Sequence, residues 1–77
     1  MEDIVKIVKE EQEKGNILLI NFKDGSKIYV KQKDEIKSIS DNFVFIEADS
    51  LVTGQRTKYF VNIRELKKIV VKEPINK

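Results

Sequence analysis

The 77-residue chain contains no cysteine, no histidine and no tryptophan, one proline and three glycines. Without cysteine there are no disulfides and no thiolate-metal clips. A chain near the lower size limit of single cores must then rely on good packing or on self-association. Lack of cysteine also fits a reducing compartment, so a cytoplasmic location is expected. Without histidine the commonest general base at neutral pH is missing, and Ser or Cys nucleophiles lose their usual partner. Long apolar runs are missing too. The longest, Ile17–Ile20 and Phe43–Ile46, are four residues each, against roughly 20 for a membrane-spanning helix. Glu2 and Asp3 precede the first apolar residues, where a secretory leader would place positive charge, so the whole chain is read as the mature protein.

Charge is nearly balanced, with 15 Lys and Arg against 13 Asp and Glu, and the net of +2 carries no electrostatic footprint of its own. Its distribution is uneven. Residues 1–14 hold five acids and three bases, whereas 56–77 hold seven bases and two acids. A basic face for phosphates and a solvated strand face are both compatible with that gradient. No internal repeat or low-complexity tract divides the chain, and residues 1–77 are read as a single domain.

What is present is alternation. Ile4, Val5, Ile7 and Val8 have helical spacing, with acids in the first turn and Gly15 beyond the end, which predicts a helix over 2–13. A strand pairing with Ile17–Phe22 is the rival reading. Asn16–Lys23 is apolar on both faces, and an Asp24-Gly25 turn joins it to Lys27–Gln32, where Ile28 and Val30 alternate with Lys27, Tyr29 and Lys31. Lys33–Ser40 breaks the alternation and is read as a connection. Phe43–Ile46 is read as a central or covered strand, Asp49–Gln55 as a loop, and Arg56–Ile63 and Lys67–Lys72 as the last strands, joined by a corner at 64–66. Pro74 opens a tail over 73–77. Closely spaced strands over 16–72 predict a mainly β fold, a small, five-stranded, highly bent antiparallel barrel with an N-terminal α-helix.

Asn16–Ala48 resembles small Sm-like barrels, which have an N-terminal helix followed by five bent strands. Asp41, Asn42 and Phe43, leading into Val44–Ile46, are similar to the segment entering the third strand of Hfq-type RNA chaperones. Lys23-Asp24-Gly25 followed by Glu47-Ala48 is similar to the spacing in the Rho-binding antiterminator family, Rof. Ile63-Arg64 looks like the Ile-Arg-Gly of archaeal Sm proteins, with Glu65 in the place of glycine. The Tyr-Lys-His signature of the Hfq type is absent. The resemblance implies a regulatory binder acting on RNA or on an RNA-handling protein.

Catalysis finds little support. Glu47 and Asp49 are the best carboxylate pair, but a strand end entering a polar loop explains them equally. Neither they nor Asp34 and Glu35 follow a cation-loop spacing, and the isolated glycines make no phosphate cradle. No cofactor and no metal are expected. Nucleic-acid binding needs cations for phosphates and flat rings for bases. Arg56, Lys58 and Phe60 share one strand face, and Tyr29 lies between Lys27 and Lys31 on another. The expectation is a non-enzymatic module in which Arg56, Lys58 and Arg64 contact phosphate and Tyr29 or Phe60 stacks. Burial of Phe60 under the helix is the plainer alternative for that residue. The second class is a protein-interaction module, an inhibitor or adaptor without nucleic acid. Two-sided apolar strands favour it, and a homo-oligomeric ring would pair the fourth strand with the fifth of a neighbour.

Overall fold

Ile4, Val5 and Val8 fall on one side of a helix, and in the computed structural model, which describes residues 3–73, α1 forms there over Asp3–Glu13. Residue 2 of the expected helix, Pro74 and the rest of the 73–77 tail beyond Glu73 lie outside the described residues. The helix stops because Gly15 takes a φ of 86°, so that its N–H reaches the carbonyl of Gln12 (2.9 Å) and the N–H of Asn16 reaches that of Glu11 (3.1 Å). A side chain at that φ is strained, which is why glycine ends helices in this way. Val8 is fully buried, Ile4 and Val5 pack beside it, and Ile7 is left exposed.

Six strands follow: β1 (Ile17–Phe22), β2 (Lys27–Val30), β3 (Glu35–Ser38), β4 (Phe43–Asp49), β5 (Arg56–Asn62) and β6 (Leu66–Lys72). They form two antiparallel three-stranded sheets, in the orders β2-β1-β6 and β3-β4-β5. Two expectations are corrected. The strands number six rather than five, and no backbone ladder joins the two sheets among the described residues, so the barrel is not closed. Residues 33–40, expected as a connection, contain β3. Its alternation is faint because only Ile36 points inward, while Glu35, Lys37 and Ser38 are exposed. The corner expected at 64–66 is a 3₁₀ turn, Ile63–Glu65, with β6 beginning at Leu66.

The two sheets face each other over one core. Leu18, Ile20 and Phe22 of β1 meet Ile28 and Val30 of β2, and from the other sheet come Ile36, Val44, Ile46, Ala48 and Val61. In β1, β2 and β4 these are the inward residues of a strict period-2 pattern. The hairpin between β1 and β2 is closed by Gly25, at φ 92°, with its N–H on the Phe22 carbonyl and the Asp24 carboxylate accepting from Ser26 N and Oγ. Between β2 and β3 the chain crosses from one sheet to the other at Lys31–Asp34. There Asp34 Oδ2 accepts from the N–H of Lys31 (2.7 Å). The Gln12 side chain donates to the carbonyls of Lys31 and Asp34, tying α1 to the corner.

Candidate functional site

The strands place the five residues singled out from the sequence in three locations. Tyr29 lies on the outer face of β2-β1-β6, half-buried opposite Leu19. Lys27 and Lys68 stand across from Asn21 on this face, and Lys72 stands across from Ile17. No acid points outward from these three strands. The Asn21 amide nitrogen is the one buried side-chain polar atom without a hydrogen-bond partner among the described residues.

Arg56, Lys58 and Phe60 share the outer face of β5, as alternation requires. Arg56 is committed elsewhere. Its guanidinium donates to Asp34, whose side chain is 1% exposed, and also to Asp49 (3.3 Å) and the Glu47 carbonyl (3.3 Å), with Glu47 Oε2 at 3.8 Å. These hydrogen bonds, that to Asp34 foremost, hold Arg56 more firmly charged than a free guanidinium. Its hydrogen bond, helped by the charges of Lys33 and Lys31, holds the Asp49 carboxyl below the usual range. Glu47 and Asp49 thus share Arg56 with Asp34, and Asp49 also pairs with Lys33 (3.7 Å). Lys58 and Arg64 make no ion pair among the described residues. Phe60 is 69% exposed, which excludes burial under the helix; its ring meets Phe45 at 5.4 Å and 56°, and Lys37 lies 5.4 Å from the Phe45 ring centre.

Arg64 sits on the 3₁₀ turn, where Asn62 Oδ1 accepts from its N–H (3.0 Å). That turn brings together two segments about twenty residues apart. The N–H of Ile63 donates to the carbonyl of Asn42 (2.9 Å), and Asp41, Asn42, Ile63, Arg64, Leu66 and Ile4 enclose a cavity of about 640 Å³. Its lining combines three apolar side chains with one guanidinium, one amide and one carboxylate. The size suits a nucleotide or another small polar ligand. On the other side of the turn, a cleft of about 290 Å³ opens between β5 and the β1–β2 hairpin, with Phe60 and Asn62 on one side and Asp24 and Lys27 on the other.

In the sequence Asp41 and Asn42 lead into the Phe43–Ile46 strand, and nothing in their spacing pointed to Arg64. The cluster forms because the β3–β4 loop and the β5–β6 turn emerge at one place. Among the described residues no group of three or more His, Cys, Asp or Glu side chains is placed to hold a metal ion, and no helix is long and apolar enough to cross a membrane. Compared with known protein families, with characterised proteins and with solved structures, the chain matches none.

Proposed function

We propose that the chain is a non-enzymatic regulatory module that binds single-stranded RNA, with one nucleotide held in the Asp41–Arg64 cavity. The observation that carries this reading is the meeting of Asp41–Asn42 with Ile63–Arg64 around one cavity. The Arg64 guanidinium contacts phosphate, the Asn42 amide reads a base edge, and Ile4, Ile63 and Leu66 cover the flat face of the ring. Lys58 supplies a second phosphate contact. Arg56 does not, because its charge is spent on Asp34, Glu47 and Asp49. The lysines around Tyr29 add a general attraction for polyanions.

Support also comes from the layout. Counting β2 and β3 as one strand broken at Lys31–Asp34 gives a helix and five strands, the arrangement of the Sm-like barrels that the sequence resembles. Titration of labelled single-stranded RNA at low and moderate salt tests the function. Affinity is expected to fall with salt. Arg64→Ala should weaken binding and flatten the slope of log affinity against log salt by roughly 0.7, the value for one phosphate contact on a single strand. No binding at low salt, or binding indifferent to Arg64→Ala and Lys58→Ala, would overturn the reading. A protein-contact role is the second reading, favoured by Val52, 93% exposed beside exposed Leu51 in the β4–β5 loop. It takes first place if RNA fails to bind.

A further inference from the structure

The cleft beside Phe60 shares a wall with the Asp41–Arg64 cavity. Asn62 and Glu65 line the cleft, while Ile63, Arg64 and Leu66 line the cavity, so the 3₁₀ turn is the partition between them. A single short turn separates the two recesses, so neighbouring nucleotides of an unstacked strand can occupy one each. No β4 residue lines the cleft, so it lies on the unpaired side of β5. Its interior is apolar, made by Phe22, Ile28 and Val61, and the exposed ring of Phe60 stands at its side.

The rim decides what enters. Asp24 uses Oδ1 to accept from Ser26, and the Glu65 carboxylate has no hydrogen-bond or ion-pair partner among the described residues. Two carboxylates against the single ammonium of Lys27 disfavour a phosphate and favour an uncharged ring that presents N–H donors. Among the nucleobases, guanine presents two adjacent donors, N1–H and the N2 amino group, which match both oxygens of one carboxylate. Adenine and cytosine place an acceptor nitrogen beside their amino group, and uracil places its one N–H between two carbonyls. On the opposite edge guanine needs donors for O6 and N7, and Lys27 offers an ammonium of the right kind. Asn62 can add its Nδ2, since its Oδ1 is held by the Arg64 N–H.

We infer that this cleft is a guanine subsite, in which the base adjoining the nucleotide in the Asp41–Arg64 cavity stacks on Phe60 and pairs its donor edge with Glu65. The inference rests on the RNA reading above. Binding of the full chain to labelled seven-nucleotide strands, all-uridine or with a single central guanosine, adenosine or cytidine, tests it. The guanosine strand is expected to bind roughly tenfold more tightly than the other three. Glu65→Gln, at an exposed turn position, should bring that ratio close to one. Phe60→Ala should weaken all four strands by roughly fivefold or more, through lost stacking. Equal affinity for the four strands, or a guanosine preference that survives Glu65→Gln, overturns the subsite. If uridine binding still falls with Arg64→Ala in that case, RNA binding itself stands. Failure of every strand to bind at low salt removes both.

Discussion

Arg56 shows how one side chain can serve the fold where its residue type suggests a ligand. Asp34 is buried at the corner between the sheets, and Arg56 is the only cation bonded to its carboxylate among the described residues. Arg56→Ala leaves that buried carboxylate without a countercharge and with only the Lys31 N–H as a donor, which destabilises the fold. Since the Arg56 side chain is 37% exposed, water softens the loss, and a lower midpoint in urea unfolding with an unchanged slope is the expected outcome. RNA affinity should change much less than with Arg64→Ala. Acid should act through three other carboxylates. Asp49 is held low by Arg56, Asp24 by Ser26 and Glu11 by the Asn16 side chain. Their folded values lie below the ordinary 3.8 for Asp and 4.5 for Glu, so in that window the unfolded chain binds more protons. Their contribution is therefore complete above the ordinary values and is lost as pH falls through the depressed ones. Melting temperatures recorded from pH 7 to pH 2 should stay level until about pH 4.5 and then decline.

At the scale of elements, the boundaries depend on a few backbone positions. Gly15→Ala forces a Cβ into a φ of 86° at the end of α1, and about 1 kcal/mol of stability should be lost, although the nearest obstacle is only the flexible Gln32 side chain. Thermal unfolding of the variant, with unchanged circular dichroism below the transition, checks this. The alternation of β1, β2 and β5 was readable because more and less covered residues take turns along each. β3 was not, since an edge strand with one inward side chain has no period to read. The same limit applied to Phe43 and Phe45. Their run looked like core on both faces, yet only Val44 and Ile46 turn inward, and Phe45 is covered instead by Phe60 and Lys37.

For the whole molecule, β5 and β6 are open edges of seven residues each. Unpaired backbone on long edges invites pairing with another copy, and β6 carries Lys67, Lys68 and Lys72, which discourage it. A ring joining β5 to a neighbour's β6 would use the side of β5 along which the guanine cleft opens. Light scattering with saturating guanosine-containing strand should therefore give the mass of one 9.0 kDa chain plus one strand, whatever the mass of the free protein. A ring that persists with RNA bound would show that the β5 edge is not where the base sits.

By itself the chain determined the helix, the inward set of β1, β2 and β5, the glycine-closed hairpin and the shared face of Arg56, Lys58 and Phe60. Each of these follows from local periodicity or from one residue's backbone freedom, both of which are fixed by neighbours in sequence. Only the tertiary structure decided which charges are spent and which are available. Arg56 found three acids within reach, Arg64 found no ion-pair partner among the described residues, and Tyr29 was carried to the other sheet. It also decided that the β3–β4 loop and the 3₁₀ turn meet. The Arg56–Asp34 pair and the Asn42–Ile63 contact join segments twenty or more residues apart, and such distances are set by how two sheets pack over a common core.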